Sequence, residues 1–140
     1  MSPAAVIHSL LAAARSAGLK IGIASNSTHE HVEGHLAHRR MLGFFDYIAC
    51  RDDVAVGKPE PEVYLAALRG LGVDAGRSLA FEDSIPGHVA AHRAGLRVVV
   101  VPNPSTVHCS FPHAYLRLGS LAETSLDQLA QAFTRNASAL

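Results

Sequence analysis

The stretch SLAFEDSIPGHVAAHRAGLRVVVV, residues 78–101, decides the fold. Ser78 to Glu82 reads as a short strand that runs without a turn into Asp83 and Ser84. A small-residue helix from about Ile85 to Ala94 follows and stops at Gly95; Arg97 to Val101 is then the most strand-like run in the chain. Strand, helix, strand is the βαβ pattern, in which a helix carries the chain back so that the second strand lies parallel to the first.

The same alternation extends in both directions. Upstream, Ile7, Leu10, Leu11 and Ala14 fall at helical spacing, with Pro3 near the start and Gly18 at the stop. Lys20 to Ser25 reads as a buried strand ending in Ser25-Asn26-Ser27-Thr28, before a helix over about 28–40. Tyr47 to Cys50 is another short apolar strand, followed by a polar loop through Asp52, Asp53, Gly57, Lys58 and Pro59. Pro59 and Pro61 open a helix whose Tyr64, Ala67, Leu68 and Leu71 share one stripe, and Gly72 closes it. Downstream, a short strand near Tyr115–Leu118 and a helix over about 125–135 complete the pattern. The fold class expected is α/β: a Rossmann-like parallel sheet with helices on both faces.

Composition closes off other classes. With 140 residues the chain fits one domain, and 49% hydrophobic residues supply a core without staples. Twelve basic residues balance twelve acidic ones, which argues against a nucleic-acid partner. No apolar run is long enough to span a membrane, and no signal-peptide pattern opens the chain. Cys50 and Cys109 form no CxxC pair and suit reduced thiols, so a cytoplasmic location is expected. Only Lys20 and Lys58 break an otherwise all-arginine basic set, which draws attention to Lys58.

In parallel sheets ligands sit beyond the carboxyl ends of the strands. Ser25-Asn26, Lys58 and Glu82-Asp83 all lie just after strands, so short sequence motifs become one site. Paired carboxylates there make a hard oxygen site suited to Mg²⁺. A hydroxyl and free N–H groups where a strand becomes a helix make a phosphate cradle. A lysine neutralises phosphoryl oxygens, and together these are the parts that phosphoryl transfer uses. Taken singly, each has a plainer reading: a solvated acidic loop, a helix cap at Ser25-Asn26-Ser27, a surface lysine.

The ordered set resembles the haloacid dehalogenase (HAD) superfamily, in its β-phosphoglucomutase-like and phosphoglycolate-phosphatase-like branch. Ile23-Ala24-Ser25-Asn26-Ser27 is similar to that family's second motif, and Gly57-Lys58-Pro59-Glu60-Pro61 to its third. Phe81-Glu82-Asp83-Ser84 with Gly87, Ala90, Ala91, Ala94 and Gly95 is similar to the fourth; Val101-Pro102-Asn103-Pro104 extends the likeness. The resemblance implies Mg²⁺-dependent hydrolysis or transfer of a phosphate monoester through an aspartyl-phosphate, acting on a small phosphorylated metabolite. It implies that Ser25 and Asn26 bind the phosphoryl group and that Lys58 neutralises it. It makes Asp83 a Mg²⁺ ligand with Glu82 as its partner and Ser84 in support.

One departure matters. The family's first motif, an apolar strand ending in Asp-x-Asp-Gly, occurs nowhere in these 140 residues, and the helical cap between first and second motifs is missing too. Residues 1–140 are therefore expected to form a partial core, with coding sequence upstream of Met1 carrying the motif. Without that strand two inner sheet edges stay unpaired, which invites self-association. The isolated chain is expected to be inactive; the alternative is a non-catalytic phosphate- or metal-binding module of the same fold. A two-component receiver domain uses similar groups, but its acidic pair comes first in the chain and its lysine last. Finally, His31, His35 and His38 share one helical face and His88 and His92 stand four apart, which reads as solvated faces although such pairs also chelate zinc.

Overall fold

The computed structural model describes residues 3–138. Helix α1 (Pro3–Ser16) leads into β1 (Gly22–Ala24), α2 (His29–His38) and β2 (Tyr47–Ala49). Helix α3 (Glu62–Leu71), β3 (Leu79–Glu82), α4 (Ile85–Arg93), β4 (Arg97–Val100), β5 (Leu116–Arg117) and α5 (Leu126–Ser138) follow. The alternation read from the sequence is present throughout, and every strand pair is parallel.

The sheet is divided. Strands β1 and β2 form one ladder, with Ile23 opposite Ile48. Strands β3, β4 and β5 form another, with Phe81 opposite Val99 and Val100 opposite Arg117. Among the described residues, nothing pairs with the outer side of β1 or with the side of β3 away from β4. Phe81, inside β3, is 41% exposed, which a continuous sheet covered by helices would not permit.

One core nevertheless serves both halves. Ala49 from the first ladder and Ala80, Val98 and Val100 from the second join Val63, Tyr64, Ala67 and Leu68 of α3 in a single buried cluster. Helix α3 packs on β1 and β2 and touches α4, which covers β3 and β4. The α3 stripe read at helical spacing is this buried face, and Gly72 ends the helix in the left-handed region at φ +69°. Val98, Val99 and Val100 are almost completely buried, as expected for the central strand of a parallel ladder.

The cap of α2 is Thr28, whose hydroxyl accepts the His31 N–H at 3.3 Å, in line with a helix start near residue 28 and leaving Ser25 and Asn26 outside the cap. One sequence reading needs correcting. His88 does not lie on a solvated face. It is fully buried: its Nδ1–H donates to the Ile85 carbonyl at 2.7 Å and its Nε2 accepts the His113 N–H at 3.4 Å. His92, exposed, stacks on His113 at 4.1 Å.

Candidate active site

The carboxyl ends of β1 and β3 and the loop before α3 converge. Asn26, two residues past β1, accepts the Lys58 N–H on Oδ1 at 2.8 Å and donates Nδ2 to the Lys58 carbonyl at 3.4 Å. This two-point contact fixes the lysine backbone against the end of β1. Gly57 makes the approach possible, since a Cβ there would sit 2.7 Å from the Asn26 oxygen. The Lys58 side chain then crosses to the other ladder. Its Nζ meets Glu82 Oε2 at 2.6 Å, with the two side chains only 11% and 8% exposed.

Glu82 is held from two further directions. The Tyr64 hydroxyl donates a short hydrogen bond to the same oxygen, and the Lys58 ammonium lies 5.0 Å from the Tyr64 ring centre. Burial, then the Glu82 charge, pushes the Tyr64 phenol well above the usual tyrosine range, so it stays a donor. Gly87 leaves room for the carboxylate over the first turn of α4, because a Cβ would fall 1.9 Å from Glu82 Oε1. Ser84 caps α4 by accepting the Gly87 N–H on its hydroxyl at 3.1 Å.

Asp83 faces another way. Its Oδ2 accepts from Asn103 Nδ2 at 3.0 Å, and its backbone carbonyl accepts from the Thr106 hydroxyl at 2.7 Å. Ser25, first residue after β1, donates its N–H to the Ala49 carbonyl at 3.0 Å and accepts the Ser27 N–H on its hydroxyl at 3.0 Å. The structure therefore brings Asn26, Lys58 and Glu82 into direct contact. Asp83 and Ser25 join them through chain adjacency, without direct side-chain hydrogen bonds to the others among the described residues.

Sequence reasoning missed three participants. From the sequence Tyr64 reads only as part of a helical stripe, and Thr106 carries no signal. Asn103 lay in the quoted Val101-Pro102-Asn103-Pro104 likeness without a role. A polar tip at the start of a buried stripe was the available signal for Tyr64, since buried phenols need a partner.

The loop after β2 bears its own charged group. His29 meets Asp53 Oδ2 at 2.5 Å through Nε2 and Glu33 at 3.1 Å through Nδ1. The Asp53 hydrogen bond holds the imidazole above its ordinary range; the backbone N–H of Cys50 and then His29 hold Asp53 below its own. Burial, then the charges of Asp52, Asp53 and Glu33, pushes the Cys50 thiol up to about 11.

Comparison with known proteins agrees with the motifs. The chain is 45% identical over 120 residues to YhcW of Bacillus subtilis, assigned as a phosphatase, covering 86% of this chain and 54% of that one. It is 39% identical over 119 residues to CbbY of Rhodobacter capsulatus, covering 83% of this chain and 52% of the relative. A crystal structure of CbbY from Rhodobacter sphaeroides with xylulose-(1,5)bisphosphate superposes with a TM-score of 0.82 at 38% identity, over 88% of this chain and 56% of that chain. β-Phosphoglucomutase from Clostridium difficile superposes at 0.83 with 26% identity, over 94% and 56%. The chain thus spans about half the length of the relatives it matches. The model for haloacid dehalogenase-like hydrolases matches residues 1–101, a span that holds the Ser25, Lys58 and Asp83 motifs together, and the chain belongs to that family.

Proposed function

We propose that this chain forms the phosphate- and metal-binding part of a phosphate-monoester hydrolase or phosphotransferase that acts on a small phosphorylated metabolite in the cytoplasm. The observation carrying this reading is the Lys58–Glu82 pair, built from two different strand ends and pinned by Asn26 and Tyr64. Glu82 and Tyr64 set the ammonium in place before substrate arrives, so little reorganisation is needed when phosphoryl charge develops. The Ser25 hydroxyl and the Asn26 amide supply donors to the phosphoryl oxygens. Cys50 and Cys109 are free thiols, in keeping with a reducing compartment.

Asp83 offers a hard oxygen donor of the type Mg²⁺ takes, and Asn103 orients it by binding one carboxylate oxygen. Glu82 fits a partner's role better than a direct ligand's, because Lys58 and Tyr64 already share its Oε2. Mg²⁺, when bound, would neutralise phosphoryl charge beside Lys58. The chain spans about half the length of its relatives, and residues 1–140 are accordingly read as part of the catalytic core. The second reading, a phosphate- or metal-binding module without turnover, rests on the same Lys58–Glu82 and Asn26–Lys58 contacts.

The test is turnover of an aryl phosphate with Mg²⁺. The chain alone should give none. The chain extended at its N-terminus by an apolar strand ending in Asp-x-Asp-Gly should gain turnover, and Lys58→Ala in that extended form should abolish it. No turnover in the extended form, with phosphate binding retained by calorimetry, would establish the binding module instead.

A further inference from the structure

The turn after β2 holds a second cluster that the phosphate chemistry leaves unused. Cys50, the residue after that strand, is fully buried, His29 opens α2 with its side chain about a third exposed, and Asp52 is exposed in the turn formed by Arg51–Asp53. One imidazole nitrogen of His29, the Cys50 sulfur and one Asp52 carboxylate oxygen all lie within 4.8 Å of one another. We propose that His29, Cys50 and Asp52 form a binding site for a borderline transition-metal cation of the Zn²⁺ or Co²⁺ class.

The donor set decides the class of ion. Thiolate and imidazole select Zn²⁺-like cations over Mg²⁺, so this site is chemically separate from the hard oxygen donor at Asp83. Tetrahedral zinc holds such ligands roughly 3.3–3.8 Å apart, given its usual bond lengths. The cluster needs to contract by about 1 Å to meet that geometry. Three protein ligands leave a fourth position to water.

The surroundings suit a cation. Asp52, Asp53 and Glu33 gather around a single imidazole, and among the described residues no lysine or arginine pairs with them. Arg51, next in the chain, points elsewhere and donates to the Val54 and Ala55 carbonyls at 2.9 and 3.2 Å.

The supporting hydrogen bonds are also in place. His29 Nδ1 meets Glu33 and Nε2 meets Asp53, so whichever nitrogen coordinates, the other keeps a carboxylate partner. Asp53 also accepts the Cys50 N–H at 2.8 Å, which ties the thiol-bearing backbone to the same carboxylate. Asp52 receives the His29 N–H on both oxygens, at 3.2 and 3.4 Å, so one oxygen keeps that bond while the other turns to the metal. Entry is from the side of the imidazole and carboxylates. As the metal binds, the Cys50 S–H proton and the proton on the coordinating nitrogen of His29 leave to solvent, and no electron is transferred.

The test titrates untagged, reduced protein with Co²⁺. One equivalent should bind and produce a near-ultraviolet sulfur-to-cobalt charge-transfer band, which one equivalent of Zn²⁺ removes. Zinc binding in a lightly buffered solution should release protons, one from the Cys50 thiol and one from the His29 imidazolium. Cys50→Ala should lose the band, and Asp52→Asn, which keeps an acceptor for the His29 N–H, should weaken binding about 10-fold or more. Because Cys50 is fully buried, the wild-type band and the surface variant D52N carry the test even where C50A fails to fold. No charge-transfer band in the wild type would overturn the proposal. So would cobalt binding that survives C50A and D52N but disappears in H31A/H35A, which would put the metal on the outer face of α2.

Discussion

Glu82 shows how much one buried carboxylate asks of its neighbours. Its charge is tolerated because Lys58 and Tyr64 both reach it, at side-chain exposures near one tenth for the ion pair. Removing the cation leaves the anion uncompensated, so Lys58→Met should cost about 3–5 kcal/mol in urea unfolding. Tyr64→Phe leaves the ion pair intact and removes one hydrogen bond to a charged group, and should cost about 2 kcal/mol. The reverse ranking would show that the phenol, not the ammonium, is the main support. Asp46 gives the pH counterpart. Its carboxylate accepts the Ile21 N–H at 2.9 Å, and that bond first, then Arg15 and Lys20, lowers its pKa below the ordinary 3.8. A depressed carboxylate contributes stability above its unfolded pKa and loses it as pH falls through the folded value. Asp46→Asn should therefore lower stability at pH 7 and flatten the acid limb, so that variant and wild type converge below about pH 4. An unchanged acid limb would remove Asp46 from the account.

Among the elements, α3 joins the site to the core: Val63, Tyr64, Ala67 and Leu68 point inward and Gly72 terminates it. Gly72→Ala forces a Cβ into the left-handed region, which should cost about 1–2 kcal/mol by thermal unfolding. No loss in Tm would mean the helix end relaxes without strain. This helix was legible beforehand because a 3.6-residue stripe and a glycine stop are local signals. The βαβ order and the strand-end motifs were legible for the same reason. What escaped were relations between elements distant in sequence: the Tyr64 contact with Glu82 spans 18 residues and the Asn103 contact with Asp83 spans 20. Nor did helical spacing reveal that His88 is buried against Phe111 and His113, whereas His92 on the same helix stacks on His113 and stays exposed. Spacing reports a face, and only packing reports what covers it.

At the scale of the whole molecule, the divided sheet is the dominant fact. The unpaired sides of β1 and β3 carry backbone donors and acceptors, and Phe81 adds exposed apolar surface beside them. Such edges template pairing with another chain. Sedimentation should therefore show association that grows with protein concentration, whereas a stable monomer at high concentration would mean that these edges are satisfied within one chain. Inside the monomer, the two ladders are joined through α3, which packs on β1 and β2 and touches α4, and through α1, which packs on α5 and the turn Leu121–Glu123. The Lys58–Glu82 ion pair ties them together as well. No strand-to-strand hydrogen bond crosses between the halves among the described residues. The molecule is thus two hydrogen-bonded bodies riveted by side chains, and it should open along that seam before it unfolds globally. Amide exchange would register the seam as two separate opening units, one containing Ile48 and the other Val99. Pulling the Lys58 rivet should spread their exchange rates further apart, with the smaller ladder the first to breathe.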